Sequence, residues 1–395
     1  MRILIVHNRY QQRGGEDAVF EAESQLLRRF GEDVQVYERS NVELKDYDVL
    51  QKMNFLFEIN WSKKTYADIK RILKGFRPDV VHVHNIFYMI SPSIYNACQE
   101  EGVPVVQSLH NFRLRCANGL FFRNNRVCEK CLDGSLWWGV WYRCYKNSSF
   151  MTALTVRLLD HYWRNRTWQE KVTYYLTATE FTRSKYIKAG ISAGKIIVKS
   201  NFFDHSPLAS QGDSQGYALY VGRLSHEKGV KVLLKAWKSL LEFPLKIMGD
   251  GPLMDELKAY AAKENLKLVE FLGYVPHQDY EAYLRNAKFV VVPSLCYENF
   301  PRIVAEAYAY GKPVLASRIG SFIELVRDNE TGFLFEAGNS EDLLKKVHYF
   351  IDQENSVGKI SRGARQEYES KYAPKDNYTD LKKIYEQAIH QYGHH

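Results

Sequence analysis

Short aliphatic runs alternate with helical segments along most of the chain, and this pattern restricts the fold more than any other feature. Three of these runs are RILIVH, DVVHVHN and FVVVPS. Unbroken apolar runs that are each followed by a helix are typical of parallel strands covered on both faces. The sequence therefore predicts an α/β protein built from doubly wound parallel sheets.

The alternation starts twice, and a segment rich in Ser, Gly and Asp at 206–216 separates the two halves. The 395 residues also exceed what one compact core usually accommodates. We predict two Rossmann-like domains, 1–203 and 204–372, that face a cleft at the carboxyl ends of their strands. The last helix, 373–393, is expected to pack back on the first domain.

The composition excludes some classes of protein. No run of about 18 apolar residues indicates a transmembrane helix, and MRILIVHNRY has the pattern of a first strand instead of a signal peptide. Six cysteines without a secretion signal favour reduced thiols in the cytoplasm. The net charge of +8 favours anionic ligands or an anionic membrane surface. We therefore predict a cytoplasmic protein, with peripheral contact to the inner face of the membrane as an open alternative.

The stretch CYENFPRIVAE contains two carboxylates, Glu298 and Glu306, with a helix start between them. Asn299 or Phe300 is expected to cap this helix, and Pro301 suits its first turn because the missing N–H costs nothing there. Glu306 then lies about 7.5 Å along the helix axis from Pro301, at about 1.5 Å per residue. The alternative is a solvated helix with two surface glutamates.

A helix start is an anion site, and the backbone amides available here are those of Phe300, Arg302 and Ile303. Carboxylates accept hydrogen bonds from hydroxyl groups. Hydroxyls at both ends and a phosphate in the middle describe a nucleotide sugar. The pattern therefore indicates a donor site for such a molecule.

Two glycine-containing turns follow predicted strands in the second half. GRLSHEKG places Arg223 and Lys228 beyond a strand end, where the two cations suit a diphosphate. GDGP places Gly249 and Gly251 in a similar turn, and glycine allows close approach of the backbone to a ligand. The alternative for the first turn is a basic surface loop.

Gly14 and Gly15 follow the first strand and precede a helix. They would let a phosphate or sugar of the donor approach the helix start. The alternative is an ordinary strand-to-helix turn. We favour the binding role because the carboxyl end of the strand is expected to face the cleft.

GRLSHEKG, GDGP and the E-x7-E pair, in this order, resemble the GT-B glycosyltransferases of family 4. HNRYQQRGGED is similar to that family's first glycine-rich loop, and DVVHVHN and QSLHN to the strands that follow. The resemblance implies metal-independent transfer of a hexose-type sugar from a UDP- or GDP-linked donor, with retention of configuration. By analogy, the acceptor is a glycan or lipid-linked glycan in surface polysaccharide (O-antigen or capsule) synthesis.

The resemblance also implies residue roles. It places the donor diphosphate at Arg223 and Lys228 and the donor sugar at Glu298. It places the ribose hydroxyls at Glu306 and the reacting sugar at His110.

Three polar or aromatic residues of the first half complete the predicted acceptor site, namely Asn85, Asn111 and Trp138. Family members often have Asp where this chain has Asn111. His110 therefore lacks a carboxylate neighbour in sequence, which argues against a general base at this position.

Residues 113–146 form an insert-like segment that is rich in cations, aromatics and cysteine. Cys116, Cys128, Cys131 and Cys144 have the spacing C-x11-C-x2-C-x12-C, which suits a tetrahedral zinc site. Such a zinc would be structural, because four protein ligands close its coordination sphere. The alternatives are reduced, buried thiols and, less suited to the cytoplasm, disulfides.

The aromatics of the insert and the basic segment 151–168 have two interpretations. The aromatics could stack on an acceptor sugar or lie at a membrane interface, and a basic amphipathic helix can sit on an anionic membrane. The alternative for the helix is packing on its own domain with solvated arginines.

Two other functions compete with glycosyl transfer. A sugar-nucleotide epimerase of the same architecture would lack the paired glutamates. A basic zinc-knuckle protein that binds nucleic acid would carry its charge over a wider surface than one segment, so we predict no nucleic-acid partner.

Overall fold

The computed structural model describes residues 1–204, 216–240 and 242–393. The predicted linker lies outside the described residues except for Gly216. The chain divides into two compact units. The first comprises Met1–Leu120, Glu129–Ser200 and the chain from Pro374 onward, and the second comprises Phe121–Cys128 and Asn201–Ala373.

The strands of the described residues are short and mostly aliphatic. In chain order they are β1 Arg2–Arg9, β2 Asp33–Ser40, β3 Val80–Val83, β4 Val105–Ser108, β5 Phe122–Arg123, β6 Arg126–Val127, β7 Tyr174–Thr177, β8 Ile196–Val198, β9 Tyr217–Val221, β10 Leu245–Met248, β11 Val269–Gly273, β12 Ala287–Val292, β13 Val314–Ser317 and β14 Gly332–Phe335.

The α-helices of the described residues connect and cover these strands. They are α1 Gly15–Arg29, α2 Val49–Glu58, α3 Lys63–Phe76, α4 Ser93–Glu100, α5 Lys130–Asp133, α6 Trp138–Trp141, α7 Ser149–Arg164, α8 Thr167–Glu170, α9 Glu180–Lys188, α10 Val230–Trp237, α11 Met254–Lys263, α12 His277–Asn286, α13 Arg302–Ala309, α14 Phe322–Leu325, α15 Ser340–Asp352, α16 Glu354–Lys371 and α17 Pro374–Gly393.

Each unit contains a parallel sheet of six described strands, as the sequence predicts. The sheet of the second unit has the order β11-β10-β9-β12-β13-β14. This is the 3-2-1-4-5-6 order of dinucleotide-binding folds, and its strand order reverses between β9 and β12. Ligands of open α/β sheets bind outside the carboxyl ends of the strands at such a switch point. The loops after β9 and β12 are therefore the expected binding loops of this unit.

The sheet of the first unit has the order β2-β1-β3-β4-β7-β8, so its switch point lies between β1 and β3. The aliphatic side chains of these strands are buried, including Ile3, Ile5 and Val80. Helix α17 packs on this core through Leu381 and Tyr385. Burial of such side chains is the main stabilising term, at about 1.5–3 kcal/mol for each large apolar side chain.

Strand β14 and helix α2 are among the elements that were not predicted from the sequence. Strand β14 completes the second sheet, and a Cβ atom at Gly332 would lie 1.8 Å from the Val314 carbonyl oxygen, so glycine is required for this pairing. Helix α2 follows a polar turn and is capped by Asp48, whose Oδ1 accepts a hydrogen bond from the Gln51 amide at 2.7 Å. Charged residues around this cap obscure the helical pattern.

Helix α7 lies in the segment considered for membrane contact. It buries its apolar face within the first unit through Val156, Leu158 and Leu159. Arg164 at its end pairs with Asp160 at 2.9 Å. The structure thus agrees with the packed alternative for this helix. Among the described residues, no helix has the length and hydropathy needed to cross a membrane.

Candidate functional site

The loops after β9 and β12 bring Lys228 and Glu298 together at the switch point of the second unit. Lys228 Nζ donates to Glu298 Oε1 at 2.7 Å, and Ser294 Oγ donates to the same oxygen at 2.6 Å. Burial alone would lower the pKa of Lys228, but the charge of Glu298 outweighs it and the pKa is raised. The lysine is therefore a fixed cation at the carboxyl edge of the sheet.

Glu306 lies one helical turn into α13 and is 8% exposed. Its Oε2 accepts a hydrogen bond from the Tyr280 hydroxyl, and its Oε1 lies 3.2 Å from Arg302 Nη2. Tyr280 comes from α12, 26 residues earlier in the chain, and the sequence pattern does not point to it. The carboxylate is thus held in one orientation by two donors.

Helix α13 begins later than the sequence predicts. Pro301 is its cap residue and has an extended backbone, with φ −71° and ψ 103°, so Arg302 is the first helical residue. The predicted cap at Asn299 or Phe300 is one or two residues too early. The Phe300 ring packs edge-on against Tyr372, with 5.6 Å between ring centroids. The ring is thus used in packing, and the backbone amide of Phe300 is the group predicted to contact the nucleotide sugar.

The turn with Gly249 and Gly251 is bonded to the turn with Arg223. A Cβ atom on Gly249 would lie 2.0 Å from the Gly222 carbonyl oxygen, and one on Gly251 would lie 2.4 Å from the Leu224 carbonyl oxygen. Backbone packing between the two turns therefore accounts for both glycines, whether or not a ligand approaches them. Arg223 is exposed on the turn that follows β9.

Gly14 and Gly15 have a different environment. A Cβ atom on Gly15 would meet no heavy atom of the described structure within 4 Å, and the nearest atom for Gly14 is Asp17 Oδ2 at 3.9 Å. The fold itself leaves this space open. The space is compatible with the predicted approach of a ligand to the start of α1.

Replacing Gly249 with alanine should destabilise the protein by several kcal/mol, since its φ is +131° and the new Cβ would overlap a backbone oxygen. Gly15→Ala is the matched change at an open position. It should leave the melting temperature equal or slightly higher, because alanine favours helix by up to about 1 kcal/mol. Thermal unfolding checks both variants, and a drop of more than a few degrees for Gly15→Ala would contradict the open geometry.

In the first unit, the loops after β1, β3 and β4 converge on the carboxylate of Glu16. Asn85 Nδ2 donates to Glu16 Oε1 and Asn111 Nδ2 donates to Glu16 Oε2, both at 3.1 Å. Burial and the charge of Asp17 raise the pKa of Glu16 to about 7, against the lowering effect of Arg113. Two predicted acceptor residues thus share one carboxylate, and the sequence pattern does not point to Glu16.

His110 is half-buried, precedes Asn111 in sequence and contacts a cluster of buried polar side chains. Its Nε2 lies 3.0 Å from His84 Nδ1. Behind His84, Glu23 pairs with Lys199 Nζ at 2.7 Å. Glu23, His82 and His84 have ligand atoms within 4.8 Å of one another, but the Lys199 ammonium already neutralises the carboxylate, which disfavours a second cation there.

Two family models cover nearly the whole chain. The model described as glycosyltransferase family 4 matches residues 13–206, and the model described as glycosyl transferases group 1 matches residues 208–367. The chain belongs to the family 4 glycosyltransferases of the GT-B fold. This membership favours a transferase over the epimerase and the nucleic-acid binder.

Relatives of this glycosyltransferase support the assignment. An uncharacterized glycosyltransferase of Methanocaldococcus jannaschii is 31% identical over 207 residues, which are 52% of this chain and 58% of that protein. The amylovoran biosynthesis glycosyltransferase AmsK of Erwinia amylovora is 28% identical over 232 residues, or 56% and 54% of the two chains. This chain therefore spans less than two thirds of either relative.

Among solved structures, Anabaena HepE in complex with UDP-glucose has a similar fold. The two chains are 17% identical with a TM-score of 0.68, and the match covers 98% of this chain and 100% of HepE. At this identity the likeness establishes the GT-B fold.

Two cysteines of the glycosyltransferase's insert have hydrogen-bond acceptors close to them in sequence. Cys116 Sγ donates to Asn118 Oδ1 at 3.0 Å, and Cys131 Sγ donates to the Leu136 carbonyl at 3.8 Å. Over the part of the chain that is described, the one group of metal-ligating atoms within 4.8 Å contains no cysteine. Cys144 is half-buried, and Cys128 is grouped with the second unit. The structural zinc stays a prediction, and elemental analysis of purified protein would check it.

Trp138 does not belong to the group around Glu16. It is 45% exposed on the insert, where its ring stacks on Tyr142 and lies 5.5 Å from the Lys130 ammonium. Its predicted acceptor role therefore has no support from the neighbouring residues.

Replacing Glu16 with glutamine should change how stability depends on pH. A carboxyl whose pKa is raised by folding contributes stability below its ordinary value of 4.5, which is lost as pH rises through about 7. The melting temperature of Glu16→Gln minus that of the wild type should therefore increase between pH 5 and pH 8, by about 3–6 °C. Histidines titrate in both proteins and cancel in this difference. A constant difference would contradict the raised pKa.

Proposed function

We propose that the protein is a retaining, metal-independent glycosyltransferase that moves a hexose-type sugar from a UDP- or GDP-linked donor to a glycan or lipid-linked glycan acceptor in surface polysaccharide synthesis, as for O-antigen or capsule. The observation that carries this proposal is the Lys228–Glu298 pair at the switch point of the second unit. The polysaccharide role of AmsK and the UDP-glucose bound to HepE support the class of product and donor.

Departure of a nucleoside diphosphate places negative charge on its terminal phosphate. Cations and hydrogen-bond donors that are held facing this charge lower the barrier, because they need no reorganisation during the reaction. In the second unit these groups are Lys228, Arg223 and the backbone amides at the start of α13. Their combined charge supports catalysis without a metal ion.

The two glutamates then have separate roles. Glu298 would accept hydroxyls of the donor sugar while Lys228 turns to the diphosphate. Glu306 would accept the ribose hydroxyls in place of its present bond from Tyr280. In the first unit, the carboxylate of Glu16, ordered by Asn85 and Asn111, would accept a hydroxyl of the acceptor.

The experiment that tests this function is a thermal-shift screen against UDP, GDP, ADP and their sugar derivatives. A nucleotide sugar at a concentration 100 times its Kd stabilises the folded protein by about 2.7 kcal/mol. The correct nucleotide should therefore raise the melting temperature measurably. The same screen on Lys228→Met, which keeps the length of the side chain, should lose most of that shift. Equal shifts for all nucleotides, or none for any of them, would reject the proposed donor site.

A peripheral membrane contact is supported by exposed aromatics on the insert and at the start of α7. Trp141 is 77% exposed and Phe150 is 60% exposed, and Trp137 lies on the same segment. The exposed cations Arg143 and Lys146 are close in sequence. Exposed tryptophans next to cations suit the interface of an anionic bilayer. We therefore place the proposed lipid contact on residues 137–150.

Trp141→Ala should weaken binding to vesicles that contain phosphatidylglycerol by about threefold to tenfold, because one buried aromatic contributes about 1 kcal/mol or more. Vesicle sedimentation measures this binding, and phosphatidylcholine vesicles test the contribution of charge. Tyr274→Ala is the matched control, since Tyr274 is 81% exposed and belongs to the second unit. Equal binding by both variants would place the contact elsewhere.

A further inference from the structure

We propose that Glu23 and His84 are positioning residues that fix the tautomer of His110. In this arrangement His84 donates its Nε2–H to Glu23, and His110 donates its Nε2–H to His84 Nδ1. The Nδ1 atom of His110 is then left without a proton and can accept a hydrogen bond. This inference rests on the proposed function, in which His110 contacts a reacting sugar.

The geometry of the three side chains carries the proposal. His110 Nε2 lies 3.0 Å from His84 Nδ1, and the two rings are nearly parallel at an interplanar angle of 11°. His84 Nε2 lies 3.4 Å from Glu23 Oε2. Within the described structure, these last two atoms are buried and have no hydrogen-bond partner of normal geometry. Since an unpaired buried polar atom is costly, each is the natural partner of the other.

The direction in which these hydrogen bonds are donated follows from the charge of Glu23. Burial alone would raise its pKa, but the Lys199 ammonium, through its charge and its hydrogen bond, outweighs burial and the pKa is lowered. An ionised carboxylate can only accept hydrogen bonds. His84 must therefore carry its proton on Nε2, where it faces Glu23.

His84 and His110 are both neutral near pH 7. Burial is the main cause, and it lowers the pKa of His84 well below the ordinary value and that of His110 to about 3. A neutral imidazole has one donor and one acceptor nitrogen. Once the proton of His84 is on Nε2, its Nδ1 can only accept, so His110 must donate from Nε2.

His82 does not compete for the free oxygen of Glu23. Its Nδ1 is bonded to the Tyr385 hydroxyl at 2.7 Å, and its Nε2 is bonded to Ser108 Oγ at 2.9 Å. The distance from His82 Nδ1 to Glu23 Oε2 is 3.9 Å. The carboxylate oxygen is therefore available to His84.

The consequence for His110 differs from general-base catalysis. Asn111 deprives His110 of a carboxylate neighbour in sequence, but Glu23 reaches it in space through His84. With a lowered pKa, His110 is a poor proton acceptor and a well-oriented hydrogen-bond acceptor. It would hold a sugar hydroxyl in place without removing its proton.

Glu23→Gln tests the proposal with a change of one group. Lys199 needs an acceptor, so it should hold the amide oxygen and turn the amide NH₂ toward His84 Nε2. Both hydrogen bonds would then reverse, and His110 should move its proton from Nε2 to Nδ1. Nitrogen-15 NMR of labelled histidines distinguishes the two tautomers. His7, which is bonded to Asp17 at 2.7 Å, should keep its tautomer and is the internal control.

A second pair of variants covers the case in which Glu23→Gln does not fold, since it leaves Lys199 without a counter-charge. His84→Asn places an amide oxygen near the position of Nδ1 and should preserve the His110 tautomer. His84→Leu removes the acceptor and should produce a mixture of tautomers. An unchanged His110 tautomer in Glu23→Gln or in His84→Leu would overturn the proposal.

Kinetics separate this inference from the proposed function. If both hold, Glu23→Gln should lower kcat at least tenfold with the donor KM within twofold, and His84→Asn should retain more activity than His84→Leu. A reversed tautomer with unchanged kcat would support the positioning role and reject the contact of His110 with the sugar. Loss of kcat in a folded variant without a tautomer change would overturn the positioning role.

Discussion

Lys228→Ala is expected to lower kcat by about 100-fold to 1000-fold, the range found when one fixed donor to a developing charge is removed. The lysine bonds to Glu298 at 2.7 Å, and its ammonium is the fixed cation at the switch point of the second unit. Its removal also leaves the Glu298 carboxylate, which is 13% exposed, without its cation. That unpaired charge would repel the phosphates of the donor. Steady-state kinetics with the donor identified by the nucleotide screen measures the loss.

Lys231→Ala is the control for this change. Lys231 lies on the same loop-to-helix segment and pairs with Glu256 at 2.9 Å, but both side chains are about half exposed. The variant changes the net charge by the same amount and should keep kcat within about twofold, because exposed ion pairs contribute little. Near-normal turnover of Lys228→Ala would remove this lysine from the phosphate site.

Glu306→Ala should weaken binding of the donor nucleotide by about tenfold or more, which corresponds to about 1.4 kcal/mol. The buried carboxylate is held by Tyr280 and Arg302, so its oxygens are oriented before the ribose arrives. Loss of a charged acceptor removes hydrogen bonds of about 1.5–3 kcal/mol each. Calorimetric titration with UDP and GDP measures the change.

Inorganic pyrophosphate provides the internal comparison for Glu306, because it has phosphates and no ribose. Its affinity should be nearly the same in Glu306→Ala and the wild type. Glu270→Ala is the control variant, since Glu270 is exposed and pairs with Lys246 at 2.8 Å. Equal loss of affinity for pyrophosphate and nucleotide would argue for a general disturbance of α13 instead of a ribose contact.

Several site features could be predicted from local sequence because they depend on neighbouring residues. The turn after β9 and the helix after Pro301 are encoded by their own glycine and proline residues. The predicted start of α13 is still one or two residues too early, since Pro301 keeps an extended backbone and Arg302 is the first helical residue. Local patterns thus locate an element better than they locate its boundary.

Other features depend on residues that are distant in sequence. Gly249 and Gly251 suggested a ligand, and the structure shows that a neighbouring backbone turn requires them. Tyr280 reaches Glu306 from another helix, and Glu16 receives both Asn85 and Asn111. These partners come from helices and loops that meet only when the parallel strands are paired in order.

The sequence by itself determined the two parallel sheets, the family and the candidate donor residues, because hydrophobic periodicity and short motifs are local properties of the chain. Tertiary structure alone decided the partners of the charged side chains. Glu23 shows the difference, since it is an acidic residue on a helix with no local reason for burial, yet it contacts Lys199 176 residues away. The cost of burying an unpaired charge is what selects such partners, and that cost appears only when the fold is complete.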